Sequence, residues 1–154
     1  MRFMILTLTE DSFVEAYINN IIDLDSSLKK EDFGFFNIVN NSVNVTLKDL
    51  KKNKNEIITA ILKINPQCII TIGSDVTKLM LGNVALSKVT GKVIPIENDM
   101  FVAPCYDPKA TTYDSSIREQ ILLSFSALKL TFIANTAINK PIIKKIDSPE
   151  VLKD

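Results

Sequence analysis

Histidine and tryptophan are absent from this chain of 154 residues, and cysteine and glycine are scarce, with two and four copies. The lack of histidine excludes Ser-His-Asp and Cys-His nucleophilic systems, a histidine general base and the usual zinc sites. Cys68 and Cys105 form no CxxC pair and lie in apolar runs, which favours packing over a disulfide or a metal. Neither GxGxxG nor GKS/T occurs, so we expect no nucleotide cofactor and no metal.

Net charge is also absent, because 18 basic residues balance 18 acidic ones. A protein that holds DNA through charge alone is usually basic, so DNA binding here would need a local patch or another domain. No apolar run approaches the ~20 residues that span a bilayer. The apolar N-terminus lacks a small-residue cleavage site. We therefore expect no membrane contact and a cytoplasmic location.

Strand-like and helix-like segments alternate along the chain, and the 46% hydrophobic content is sufficient for a core. Periodicity and turn residues predict strands and helices in the following segments. The strands are 2–9, 33–39, 68–72, 92–96 and 100–103, the last stopping at Pro104. The helices are 12–22, 55–64, 75–81 and one after Ser116, where Ser116 and Glu119 predict a capping box. This order predicts an α/β fold with three layers, α/β/α, and a mostly parallel central sheet.

Ligands of such sheets bind at the carboxyl ends of the strands, which directs attention to residues 9–13, 73–74 and 104–112. Gly73-Ser74 is a weak signal for a phosphate site, in which the amides of a helix N-terminus would bind the phosphate. A tight turn is the simpler interpretation. Asp107-Pro108 favours a turn closed by the aspartate side chain. The lysines at 48, 51, 52 and 54 lie in an Asn-rich segment, residues 40–56, that is predicted as a loop with or without a short helical turn. They suit phosphate contact or a solvated face.

Three stretches together resemble the uracil-DNA glycosylase superfamily: FGFFNIVNN, EIITAILKINPQCIITIGSDVTKLMLG and LSKVTGKVIPIENDMFVAPCYDPKATTY. The similarity covers roughly residues 33–125 and is one of pattern and order. It implies a glycosylase-like domain at 1–134. Residues 135–154 then form a linker or the start of a following domain, because Ser148-Pro149 is typical of a helix start.

The two segments that carry catalytic residues in the resembled family have different sequences in this chain. The Gly-rich loop that positions water after the first strand is replaced by EDSFVEAY, and the His-Pro-Ser motif is replaced by Asp107-Pro108-Lys109. Uracil leaves as an anion from a flipped nucleotide, and losing one hydrogen-bond donor to such a charge costs about 100- to 1000-fold in rate. An aspartate, anionic at neutral pH, would oppose that charge. The resemblance thus implies a degenerate catalytic position at Asp107.

The resemblance also supplies candidate DNA-binding residues. Asn37 matches the strand-end asparagine that reads the base, and Thr90-Gly91-Lys92 stands where the family often has Arg-Gly. The full set of candidates is Asn37, Gly73, Ser74, Lys88, Lys92, Asp107, Pro108 and Lys109.

Catalytically degenerate domains of this type occur at the N-terminus of some bacteriophage DNA polymerases of the polymerase I type. The expected function is therefore a non-catalytic accessory domain of such a polymerase, with weakly bound DNA or replication proteins as partners. Two alternatives stay open. One is an active, divergent glycosylase for uracil or another modified base, in which Asp107 acts as a base or as an electrostatic stabiliser of the sugar cation. The other is a protein-binding decoy module.

Overall fold

A five-stranded sheet forms the centre of the computed structural model, which describes residues 2–39 and 47–134. Its strands are β1 (Phe3–Thr9), β2 (Phe33–Val39), β3 (Cys68–Ile72), β4 (Ile94–Pro95) and β5 (Phe101–Cys105). They lie in the order β2-β1-β3-β5-β4. Strands β2, β1, β3 and β5 are parallel, and the short β4 runs antiparallel to β5.

Helices cover both faces of this sheet, which confirms the predicted three-layer α/β/α architecture. They are α1 (Ser12–Leu24), α2 (Leu47–Lys52), α3 (Lys54–Ile64), α4 (Ser74–Leu81), α5 (Leu86–Val89) and α6 (Ile117–Lys129). Two 3-10 turns, Lys30–Asp32 and Pro108–Thr112, and a π-helical turn, Leu130–Ala134, complete the described elements.

Alternating side chains of β1 divide the core into two layers, because successive residues of a strand point to opposite faces. Phe3 and Ile5 pack in the cluster that holds the buried residues of α1 and α6. Met4 and Leu6 pack in the cluster that holds those of α2, α3 and α4. Strand β3, which lies between β1 and β5, is buried at every residue, as expected for the middle of a parallel sheet.

Strand β5 continues through Pro104, so the prediction that this proline ends the strand is wrong. The Cys105 carbonyl accepts a hydrogen bond from the Gly73 amide on the β3 side. Pro104 is the adjacent residue and faces the other side, where β4 pairs only with Phe101 and Val102. A proline there removes no ladder hydrogen bond.

The capping box at Ser116 is also wrong. Ser116 makes no capping hydrogen bond to α6, and its amide and hydroxyl both donate to Asp114 Oδ1, at 3.1 and 2.6 Å. The Asp114 side chain closes the turn before α6 by accepting these two hydrogen bonds. The Ser116 hydroxyl is therefore not available to cap the helix.

Two further boundaries differ from the predictions. Within the segment predicted as a loop with or without a short helical turn, Leu47–Lys52 forms the helix α2, and β4 is shorter than the predicted strand. The Asn-rich residues 40–46 and the predicted linker 135–154 lie outside the described residues. Within the described ranges, no helix combines the length and apolar character that crossing a bilayer requires.

Candidate functional site at the carboxyl edge of the sheet

The loops after β3 and β5 touch at the carboxyl edge of the sheet, as predicted for residues 73–74 and 104–112. The Gly73 amide donates to the Cys105 carbonyl at 2.9 Å. Gly73 has φ of 94°, and a Cβ built on it would lie 3.9 Å from Asp107 Cβ. Glycine suits this turn because L residues rarely adopt such a φ. The contact brings Gly73 and Asp107 to one place.

Asp107 closes its own turn, which confirms the structural interpretation of this residue. Its carboxylate accepts a hydrogen bond from the Lys109 amide at 2.9 Å and caps the 3-10 turn Pro108–Thr112. Pro108 is buried in the first position of that turn, where proline loses no hydrogen bond. The local sequence therefore directs the Asp107 carboxylate toward the backbone.

Lys109 connects this turn to the loop after β1. Its Nζ lies 3.0 Å from Asp11 Oδ2, and the two side chains are 55% and 25% exposed. Asp11 also caps α1, because Asp11 Oδ1 accepts from the Val14 amide at 3.2 Å. The third predicted segment thus joins the other two through an ion pair.

The ion pair changes the pKa of both partners. The hydrogen bond from Lys109 lowers the pKa of Asp11 below its usual value, and the hydrogen bond to Asp11 raises the pKa of Lys109. The Asp107 carboxylate adds to the upward shift of the Lys109 pKa. The positive charge of Lys109 is therefore already neutralised by a carboxylate of the protein, that of Asp11.

Acidic side chains outnumber basic ones directly after β1, β3 and β5. Lys109 is the single ammonium among them, and the carboxylates are those of Glu10, Asp11, Asp75 and Asp107. Phosphate backbones are held by excess positive charge. The electrostatics of this edge are therefore unfavourable for a DNA phosphate at Lys109, one of the candidate DNA-binding residues.

The remaining predicted residues lie around this cluster rather than in it. Asn37 is on β2, separated from β3 by β1, and it accepts a hydrogen bond from Thr7 Oγ1. Ser74 is the first residue of α4. Lys88 lies on α5 and Lys92 between α5 and β4, both exposed. Among the described residues, no side-chain hydrogen bond or ion pair joins any of these four to Asp107.

The Thr90-Gly91 step packs against α6. Thr90 Oγ1 lies 3.2 Å from Ser124 Oγ, which donates to the Pro104 carbonyl at 2.9 Å. A Cβ on Gly91, where φ is 79°, would lie 4.0 Å from Leu123 Cβ. This segment thus ties β5 to the helix that covers it.

Three grooves on the part of the surface that the structure describes are candidate ligand sites, and none of the predicted site residues lines these three. The largest, about 660 Å³, lies between α1 and α6 and is lined by Tyr17, Ile21, Leu24, Arg118 and Leu122 among others. The second, about 590 Å³, runs between Phe36 and α3. The third, about 420 Å³, separates α3 from the β4–β5 hairpin.

The α1–α6 groove was not predicted from the sequence. Its one available signal was the presence of leucines on the outer faces of two amphipathic helices, because Leu24 is 77% and Leu122 41% exposed. Single exposed leucines are common, so this signal is weak.

Neither cysteine is available for chemistry at the surface. Cys68 and Cys105 are buried and free, and burial raises the pKa of each thiol to about 12. Across residues 2–39 and 47–134, no three His, Cys, Asp or Glu side chains gather in a group that could hold a metal ion.

No family model matches the chain, and a search of curated proteins finds no significant relative.

Proposed function

We propose that the chain is a catalytically inactive, DNA glycosylase-like domain that binds DNA weakly, in the setting of a polymerase I-type bacteriophage DNA polymerase. The observation that carries the proposal is the state of Asp107. Its carboxylate stands where the resembled family places histidine, and it is held by the backbone of its own turn.

The charges around Asp107 support the absence of base excision. A departing uracil anion needs hydrogen-bond donors, whereas this edge presents four carboxylates and one ammonium that is already paired. The three described grooves are lined by other residues. The charge of the cluster is therefore unfavourable for a departing base anion, because its one ammonium is already paired with Asp11.

Weak DNA binding follows from the resemblance together with the neutral net charge. A protein without excess positive charge binds DNA through a limited number of phosphate contacts, so its affinity is low and falls with salt in proportion to that number. Linkage to a polymerase would still make such contacts effective, because a tether raises the local concentration.

A uracil-release assay tests the catalytic part of the proposal. The chain, in excess, is incubated with single-stranded DNA that contains one uracil or another modified base, and abasic sites are detected by alkaline cleavage. We expect no release above the protein-free reaction. Asp107→Ala is assayed beside Asp23→Ala, which removes the same charge from an exposed position of α1. Release that Asp107→Ala abolishes and Asp23→Ala preserves would overturn the proposal.

Filter binding at about 50 mM salt, where phosphate contacts are strongest, tests the DNA part. We expect retention of labelled DNA at this salt and loss of retention as the salt rises. If no DNA is retained, the DNA-binding proposal is wrong and the module has another kind of partner.

Protein binding is the second candidate, and the α1–α6 groove favours it. Leu24 and Leu122 both line this groove and are 77% and 41% exposed, and clustered exposed apolar groups mark interaction surfaces. Sedimentation velocity on the free chain tests the simplest case, a second copy. Concentration-dependent association that is removed by Leu24→Ser and Leu122→Ser would support this function.

A further inference from the structure

Four lysines lie on α2 and at the start of α3: Lys48, Lys51, Lys52 and Lys54, here called the α2 lysine surface. All four are exposed, and none forms an ion pair with a described residue. Residues 47–55 contain one acid, Asp49, against these four bases. In a chain of zero net charge, this short segment therefore concentrates positive charge.

The spacing of these lysines places them side by side. Lys51 and Lys52 follow Lys48 by three and four residues, so the three side chains share one face of α2. Like charges at this spacing destabilise a helix by about 0.2–0.5 kcal/mol per pair. A face that is only solvated commonly alternates lysine with glutamate, whereas α2 sets one acid, Asp49, against three lysines, so part of the repulsion remains. An external anion would relieve it.

The α2 lysine surface is fixed to the body of the protein. Leu50, on the same helix, is 2% exposed and packs in the core layer with Ile57, Ile61 and Leu79. The lysines are thus presented by an anchored helix, and less conformational entropy is lost when they bind a ligand than for lysines on a free segment.

We propose that the α2 lysine surface contacts the DNA phosphate backbone without reading the bases. The inference rests on the proposed function, and it assigns DNA contact to this surface instead of the carboxyl edge. Lysine is a compact point charge suited to phosphate, and the surface includes no aromatic side chain on which a base could stack. Leu50 is buried, so the described side chains of α2 offer no apolar group for insertion into a lipid surface.

Salt-dependent binding of the full chain to a short fluorescent duplex, and to its single strand, tests the inference. Each phosphate contact contributes about 0.9 to the slope of log K against log salt for duplex DNA. Four lysine contacts therefore predict a slope of about −3.6, and the triple variant Lys48→Gln, Lys51→Gln, Lys52→Gln predicts about −0.9. Glutamine keeps the helix propensity of α2.

The matched control is Lys88→Gln, Lys92→Gln, Lys109→Gln, which removes the same number of charges near the carboxyl edge. We expect this control to keep the slope of the unmodified chain within about one contact, or 0.9. Circular dichroism and urea unfolding of both variants establish that each is folded.

The outcomes separate this inference from the proposed function. If the carboxyl-edge control loses the slope and the α2 variant keeps it, DNA binding stands and the assignment to α2 is overturned. If both variants lose it equally, the surface is not specific and the inference also falls. If the unmodified chain binds neither DNA form at about 50 mM salt, the inference and the DNA part of the proposed function fail together.

Discussion

The carboxyl edge of the sheet and the α2 lysine surface differ in how their charges are used. At the edge, the Lys109 ammonium lies 3.0 Å from Asp11, and the Asp107 carboxylate accepts from a backbone amide. On the α2 lysine surface, the four lysines form no ion pair with a described residue. A charge that stabilises the local fold is less available to a ligand. The strand-end motif therefore marks a structural junction, and the positive charge that is free to bind lies elsewhere.

The largest effect is expected from a substitution that removes the buried anchor of the α2 lysine surface. Leu50→Ala deletes a buried side chain and leaves a cavity, so the free energy of unfolding should fall by about 2–5 kcal/mol. The detached helix should also lose the salt-dependent DNA binding. Urea unfolding and DNA anisotropy, measured on the same sample, check both effects.

Leu62→Ala is the matched control, because Leu62 is 39% exposed on the neighbouring α3. Its cost should stay within about 1 kcal/mol, since little apolar surface leaves the core. Equal costs for the two variants would show that α2 is not anchored through Leu50.

A smaller effect is expected at the carboxyl edge. Asp107→Ala removes the cap of the turn Pro108–Thr112, and loss of a side-chain cap costs about 0.5–2 kcal/mol. Asp107→Asn keeps an oxygen that can accept from the Lys109 amide, so its cost should be only a fraction of this. Urea midpoints of the two variants give the comparison. If the asparagine variant is the less stable, the carboxylate charge has a role beyond the turn.

The smallest effect concerns the ion pair at the other end of α1. A hydrogen bond from Lys129 lowers the pKa of Asp25 from 3.8 to about 2. The unfolded chain therefore binds a proton at higher pH than the folded one, so the stability from this group is present above about pH 4 and is lost as the pH falls toward 2. Both side chains are about one-third exposed, so the effect is modest.

Asp25→Asn should flatten the decline of the urea midpoint over that acidic window. The control is Asp23→Asn, which removes a neighbouring carboxylate that forms no ion pair with a described residue. An Asp25→Asn profile that is parallel to that of the unmodified chain at every pH would contradict the assignment of this acid-sensitive stability to the Asp25–Lys129 pair.

Much of the fold could be predicted from sequence because its signals are local. The apolar run at Cys68–Ile72 and the aromatic-rich run at Phe33–Val39 define β3 and β2 with the predicted boundaries. Where a neighbouring element decides the outcome, the prediction was wrong. Pro104 stays in β5 because β4 has already ended beside it, and Ser116 is captured by Asp114.

The sequence indicated where the segments of the candidate site would lie, but it did not indicate how their charges would pair. Strand order alone indicates that the segments containing Asp11, Gly73 and Asp107 meet at one edge. The pairing of Lys109 with Asp11 joins residues that are distant in sequence, and it depends on how the turn after β5 faces α1. No local pattern contains that information.

The burial of both thiols makes the chain a convenient host for a reporter group. Cys68 and Cys105 are shielded from solvent and their thiol pKa is raised to about 12, and alkylating reagents attack the thiolate form. A cysteine introduced at an exposed position would thus react alone with a maleimide dye. One preparation would carry the dye on α2, and a second would carry it near Asp107. Quenching of the dye by an oligonucleotide would then show which side of the molecule binds DNA, and neither native cysteine would need to be replaced.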